Sequence, residues 1–341
     1  AKPVKRKHDS KSHSPSKKGK AESSSSSKRA TKQERQSQRK HADVVIEAKR
    51  IWNLLRLKTN TKEQNREYMD QLFPLIKGRA NDIALQHDAA RVIQAAIQFG
   101  TTEERREILS ELCAKSGNLA ELSKSQYAHF CVLKAIKYCS PDKDSVKMMT
   151  KSFKGPIPKL AVHSVASRVL QSLFTTLSNK DIAPLKQELH GPHFALFAAD
   201  TQDTIPTLAS NLAGAPEKRD TTLSFVRNLV NKGMEKSLYG FTYFQDLCAE
   251  YCDVAEPREV RTLAGTAADH SIHFLSSRNG SRVVAQMIAY GTAKDRKRIM
   301  KSLKGYSKSG LLHRDAYLAI IRLVQLTDDT VSIYKNVFNE I

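Results

Sequence analysis

The side chains best placed to do chemistry in this 341-residue sequence are cations. Lys294, Arg296, Lys297, Arg298 and Lys301 fall in one short stretch, and the pairs Lys294/Arg298 and Lys297/Lys301 share a helix face at a spacing of four. Lys49, Arg50, Arg56 and Lys58 form a second group, and Arg105 with Arg106 a third. Ammonium and guanidinium groups gathered this way suit the phosphates of a nucleic-acid backbone. Other constellations fall short of a site. Cys248 and Cys252 share a helix face, but no second Cys/His pair completes four zinc ligands, so packing is their expected role. Cys113, Cys131 and Cys139 are too separated to specify a metal motif. His270 and His273 stand around Ser271 without an acid placed to orient a base. No Walker-type glycine loop is present. A non-catalytic chain follows, with no cofactor, metal or small-molecule substrate expected.

The overall balance agrees, with 56 Lys+Arg against 35 Asp+Glu and a net charge of +21. Residues 1–41 hold 14 of the cations and 3 of the carboxylates, so a strongly basic tail precedes a moderately basic body. Nucleic acid is the first candidate partner and an acidic membrane surface the second. The tail has no apolar stripe that could insert, and no run approaches 18 apolar residues, which argues against a membrane. No apolar h-region follows the basic start, and the odd number of cysteines, five, gives no disulfide framework. A reduced, intracellular protein is expected. The chain starts at Ala1 and stops at Ile341 inside an apolar helical phrase, as a partial chain would. Lys5-Arg6-Lys7, Lys17-Lys18 and Lys28-Arg29 surround the run Ser23–Ser27; this tail is expected to be disordered and to carry a nuclear import signal. Phosphorylation of the serines would lower its charge.

The elements that must position the cations are helical. Val44, Ala48, Ile51, Trp52 and Leu55 predict an amphipathic helix, and Glu67–Ile76 a second one interrupted at Pro74, together an N-terminal cap over 42–74. Beyond it one phrase recurs: a small residue, then apolar residues at helical spacing. It is found at Ala89-Ala90-Arg91, Ala128-His129-Phe130, Ala166-Ser167-Arg168, Gly280-Ser281-Arg282 and Ala316-Tyr317-Leu318. The third positions are separated by 39, 38, 114 and 36 residues. The long interval is three times 38, so degenerate copies are expected around Thr204-Ile205-Pro206 and Tyr243-Phe244-Gln245. About seven copies would then fill 75–341 as an all-α solenoid, with each small residue where one helix approaches the next.

The phrases Ala90-Arg91-x-x-Gln94 and Ser167-Arg168-x-x-Gln171 resemble the base-reading helix of Pumilio-homology (PUF) repeats. Arg278-Asn279-Gly280-Ser281-Arg282-Val283 with Gly291-Thr292-Ala293-Lys294-Asp295-Arg296-Lys297, and Ile51-Trp52-Asn53-Leu54-Leu55-Arg56, are similar to the Puf-A-like branch of that family. The resemblance covers residues 45–341. It implies a right-handed superhelix of three-helix repeats in which two side chains of each second helix touch a base edge and a third stacks between bases. Ser167 and Gln171 would then be edge readers and Arg168 the stacker. Ala90, Gln94 and Arg91 hold those places in the first copy, and His129, Leu133 and Phe130 in the second. They are Ser281, Ala285 and Arg282 in the sixth, and Tyr317, Ile321 and Leu318 in the seventh.

Only the third copy supplies two polar edge partners together with a stacker, so a run of specific bases cannot be read. The Puf-A-like branch implies the same: nucleic-acid binding with little sequence preference, in the nucleus and nucleolus, during large (60S) ribosomal subunit assembly and precursor rRNA maturation. Precursor rRNA, large-subunit ribosomal proteins and assembly factors are the expected partners, with mRNA a further candidate. The alternatives are a sequence-specific mRNA regulator and a protein-binding scaffold. Arg91, Arg168 and Arg282 could equally tie neighbouring helices together.

Overall fold

The computed structural model describes residues 40–114, 118–196 and 205–341, so the basic tail and its import-signal clusters lie outside the described residues except for Lys40 and His41. All regular structure among the described residues is helical. Helices α1 (Ala42–Leu55) and α2 (Lys62–Ile76) form an antiparallel pair at the N-terminus. Val45, Ala48, Ile51 and Leu55 are the buried stripe of α1, so Val45 takes the place expected of Val44. Trp52 packs against the core at its edge, with the Arg56 guanidinium 5.2 Å from its ring centroid. Helix α2 runs through Pro74 rather than breaking there. Pro74 stands in the last turn, where its missing N–H removes a single bond.

Three units of three helices follow. They are α3–α5 (Ala80–Ala84, Ala90–Phe99, Thr102–Leu112), α6–α8 (Asn118–Lys124, His129–Cys139, Lys143–Phe153) and α9–α11 (Ile157–Ala161, Ala166–Thr176, Asn179–Gln187). An irregular stretch comes next, with α12 (Pro192–Leu196), α13 (Leu208–Gly214) and the long α14 (Arg219–Glu235). Repetition then resumes in α15 (Thr242–Val254), α16 (Pro257–Ala267), a 3-10 segment Ala268–Ser276, α17 (Arg278–Tyr290) and α18 (Ala293–Ser302). Helices α19 (Ser307–Leu312), α20 (Tyr317–Leu326) and α21 (Thr330–Asn336) close the array.

The second helices stack side by side in the order α4, α7, α10, α15, α17, α20. The small residues sit where the sequence places them: Ala89, Ala128, Ala166, Gly280 and Ala316 are all buried. Cys131 Sγ donates to the Ala90 carbonyl at 3.3 Å, and a Cβ on Gly280 would lie 1.9 Å from the Phe274 carbonyl oxygen. Backbones this close admit nothing bulkier.

The stack holds six inner helices among the described residues, and the copy expected around Pro206 supplies none. Ile205 and Pro206 are irregular, and Thr207 caps the short α13 instead. Proline lacks an N–H and pushes the preceding residue out of helical space, so an inner helix cannot pass through that point. Helices α9 and α10 meet α15 across the gap: Gln171 Nε2 of α10 donates to Thr242 Oγ1 at 2.7 Å, and Tyr243 Oη donates to the Ala161 carbonyl of α9 at 2.6 Å. The phrase around Phe244 does lie on an inner helix, but Tyr243, Phe244 and Gln245 all point into the core.

Two recurring devices hold the units. One closes a unit on itself, at four places along the array. Glu111 accepts from the N–H groups of Gly78 and Ala80 (2.6 and 2.9 Å), Glu188 from Gly155 and Ile157 (2.6 and 3.0 Å), and Glu340 from Gly305 and Ser307 (2.7 and 3.2 Å). In the second unit Ser152 Oγ takes this place against Leu119 N at 3.2 Å. Each bond set joins the start of a unit to its end, satisfying N–H groups that a short helix leaves open.

The second device is the elbow between the inner and third helices, best seen at Gly100-Thr101-x-x-Glu104-Arg105-Arg106 and Gly291-Thr292-x-x-Asp295-Arg296-Lys297. Thr101 and Thr292 cap α5 and α18 in reciprocal capping boxes with Glu104 and Asp295. The next residue, Arg105 or Arg296, turns back to the carbonyls at the end of its own inner helix: Ile97 and Gln98 at 2.8 and 3.0 Å, Ile288 and Gly291 at 3.3 and 2.9 Å. The cation after that reaches forward to the next unit. Arg106 pairs with the cap residue Asp142 at 2.7 Å and Lys297 with the cap residue Asp329 at 3.1 Å. Arg66 binds Glu104 at 2.5 Å in the same manner.

Replacing Glu188 by Ala leaves the Gly155 and Ile157 N–H groups without an acceptor and should cost about 3 kcal/mol, read as a lower urea midpoint. Gly155 has φ +103°, so Gly155→Ala should cost about 1–2 kcal/mol by the same measurement. The Arg106 guanidinium holds the Asp142 carboxyl well below the ordinary value of 3.8. A depressed carboxylate stabilises the fold above its unfolded pKa. The advantage of the native chain over Asp142→Asn should therefore be full at neutral pH and shrink as the pH falls through and below 3.8, seen in urea midpoints at a series of pH values.

Candidate nucleic-acid interface

The inner helices expose one column of side chains and bury its neighbour. At the first position of the carried-over motifs, Ala90, His129, Ser167 and Ser281 are buried, Ser167 and Ser281 with 0 % exposure, while Tyr317 of the last copy is half-buried. His129 Nδ1 bonds to the Ser125 carbonyl at 2.9 Å, while Ser281 Oγ is buried without any partner. Ser167 and Ser281 are thus enclosed within the solenoid in this structure. At the last position, Gln94 meets the Cys131 thiol, and Gln171 is occupied by Thr242 and Tyr243 of α15.

The position between them behaves differently. Arg91, Phe130, Arg168 and Arg282 are exposed on α4, α7, α10 and α17, and Leu318 is half-buried on α20. Arg91 and Arg168 make no hydrogen bond or ion pair among the described residues. Phe130 is 47 % exposed with its ring 3.9 Å from that of His129, centroid to centroid. Arg282 instead forms a two-pronged bond to Asp253 of α15, 2.9 Å to each oxygen. Of the three arginines that could tie helices together, only Arg282 does so. Flat, cationic groups in a row with no directed donors or acceptors beside them can stack on bases of any identity.

The cation clusters divide in the same way. Arg298 donates to Asp269 at 2.6 and 3.0 Å and to the Gly265 carbonyl at 2.7 Å, and its charge holds the Asp269 carboxyl below the usual aspartate range. Arg296, Lys297, Arg105 and Arg106 belong to the elbows described above. Lys49 bonds to Asp88, Arg50 to Glu47 at 3.1 Å, and Arg56 covers Trp52. Lys58, Lys294 and Lys301 are exposed and make no hydrogen bond or ion pair among the described residues. The dense basic cluster is therefore mostly structural: Lys294 and Lys301 remain for a partner, and the arginines hold the solenoid.

The cysteines lie in apolar surroundings. Burial pushes the Cys252 thiol up to about 12 and Cys113 up to about 11, and Cys248 is fully buried beside Cys252. His270 stacks on Tyr239 with centroids 4.7 Å apart. No group of three metal-capable side chains is present among the described residues. What sequence reasoning missed is the set of unit-closing carboxylates. The signal was there in Lys77-Gly78, Lys154-Gly155 and Lys304-Gly305, each followed 33–35 residues later by Glu111, Glu188 or Glu340.

Lys294→Ala with Lys301→Ala should weaken RNA binding while leaving the melting temperature unchanged. Arg298→Ala should lower the melting temperature by about 2–4 °C, because it empties a two-pronged ion pair. Thermal melts and filter binding on the same samples separate the two effects.

Known proteins place these features. The profile of the Pumilio-family RNA binding repeat matches residues 89–113, 118–145, 157–190 and 276–303. Those spans fall on the first three units and on the α17–α18 unit, and they skip the irregular stretch. Pumilio homolog 3 of Rattus norvegicus is 30% identical over 319 residues, covering 92% of this chain and 48% of its own length. Pumilio homology domain family member 6 of Schizosaccharomyces pombe is 28% identical, covering 87% of this chain and 46% of its own length. The chain thus spans about half the length of the curated relatives it matches. The crystal structure of human Puf-A superimposes with a TM-score of 0.77 at 28% identity, over 88% of this chain and 57% of that one. A structure of human Puf-A in complex with DNA matches with the same TM-score of 0.77 at 27% identity, over 88% of this chain and 58% of that one. With its three-helix units, its stacked inner helices and these matches, the chain belongs to the Pumilio-homology (PUF repeat) family.

Proposed function

We propose that this chain binds RNA non-catalytically and with little sequence preference. The observation that carries the reading is the division of the inner-helix face: Arg91, Phe130 and Arg168 are exposed for stacking, while Ser167 and Ser281, the edge-reading positions beside them, are buried. Discrimination among bases needs directed hydrogen bonds to base edges, and stacking on a cation or an aromatic ring does not supply them. Affinity then rests on phosphates, contacted by cations not already tied into the fold: Lys294 and Lys301 on α18, Lys58 beyond α1, and Arg91 and Arg168 on the inner face. That human Puf-A has been crystallised in complex with DNA supports a nucleic-acid ligand for this fold.

The resemblance to the Puf-A-like branch supplies the setting: assembly of the large ribosomal subunit and maturation of its precursor rRNA, in the nucleus and nucleolus. There the solenoid would hold precursor rRNA on one face and meet ribosomal proteins and other assembly factors on the others. Residues 1–41 would add a basic arm, and 42–74 would cap the repeat array.

Affinities for unrelated homopolymeric single strands, measured against salt, test the reading. They should agree within about fivefold and fall steeply with salt, and Lys294→Ala with Lys301→Ala should flatten the logarithmic slope by about 0.7 for each phosphate no longer neutralised. One strongly preferred sequence would instead indicate an mRNA regulator, and uniformly weak binding a protein scaffold.

A further inference from the structure

The irregular stretch that replaces a regular unit builds a cavity of about 530 Å³. One wall is α14, with Phe225 and Leu229; the other is α9 and the loop before it, with Pro158. None of its lining comes from the inner helices, so it is independent of the exposed column Arg91, Phe130 and Arg168. Its volume falls in the range of roughly 300–1,000 Å³ typical of pockets that enclose a small organic group. The walls are apolar, and three lysines, Lys154, Lys159 and Lys232, stand exposed at the rim. None of the three forms an ion pair among the described residues.

We propose that this cavity docks an acidic peptide segment of a partner protein, with an apolar side chain of that segment seated between Phe225, Leu229 and Pro158 and flanking carboxylates on the rim lysines. Charge and shape argue for that occupant together. Unpaired ammonium groups around an apolar floor attract carboxylates held in water at the rim while an apolar group leaves water below. An RNA base fits less well. The polar side chain in the wall is Glu188, whose oxygens already accept from Gly155 and Ile157, so below the rim lysines a base edge finds no side-chain donor. A phosphate entering the cavity would also meet that buried carboxylate.

The test uses the full chain and a fluorescent peptide in which Leu-Trp is flanked on both sides by Asp and Glu, read by anisotropy. The peptide should bind, and its Leu-Trp→Ala-Ala counterpart should bind about tenfold more weakly. Phe225→Ala, and separately Lys159→Glu with Lys232→Glu, should each weaken binding of the first peptide about tenfold. The lysine variant alters only exposed side chains, so it remains informative should Phe225→Ala perturb folding, which circular dichroism reports. Equal binding of the two peptides, or binding untouched by the lysine variant, would overturn the proposal as mere charge attraction. Displacement of the peptide by oligouridylate, with RNA affinity falling equally in Phe225→Ala, would overturn it in favour of a nucleotide occupant.

Discussion

The arrangement depends first on the elbow that follows an inner helix. A capped turn there sends one arginine backward onto the open carbonyls of the inner helix and one cation forward onto a carboxylate of the next unit. At the Arg106–Asp142 contact the forward cation meets a carboxylate that already caps the third helix of the next unit. Isolated exposed ion pairs contribute little to stability. These do more because the acid is also a helix cap, so the cation is held against a group that the backbone has already oriented. The unit-closing carboxylates Glu111, Glu188 and Glu340 complete the scheme by tying the first helix of a unit to its last.

Engaging so many cations in the scaffold leaves the remaining ones exposed in defined places. The inner helices come together through small residues, which brings the first motif position into the interface and turns the second outward. The same close packing that stabilises the solenoid therefore buries Ser167 and Ser281 and leaves Arg91, Phe130 and Arg168 exposed. Low sequence preference in this account is a consequence of how the helices pack.

Much of the fold is legible in the sequence, because a helical period and a recurring small residue are local signals. Ala89, Ala128, Ala166, Gly280 and Ala316 mark five of the six inner helices correctly. Spacing alone places the sixth near residue 244, but Phe244 points into the core there, since a period fixes where a helix lies and not how it is rotated. Pro206 marks a break in the repeat, and the regular spacing conceals it. The functional cations are less legible. Arg106 and Asp142 are 36 residues apart, and Arg298 and Asp269 are 29 apart. Helix periodicity shows which side chains share a face but not which neighbouring element that face will meet. A dense run of lysine and arginine thus reads as a phosphate site when most of its members are already partnered.

The most direct test of the central claim is a crosslinking map of the chain bound to a single-stranded RNA carrying photoreactive uridines throughout. Crosslinks should concentrate on Phe130 and on the peptides containing Arg91 and Arg168, in the same pattern for RNAs of unrelated sequence. Crosslinks to Ser167 and Ser281 that appear with one sequence alone would contradict the account, since they would require the inner helices to rotate and present base-reading edges.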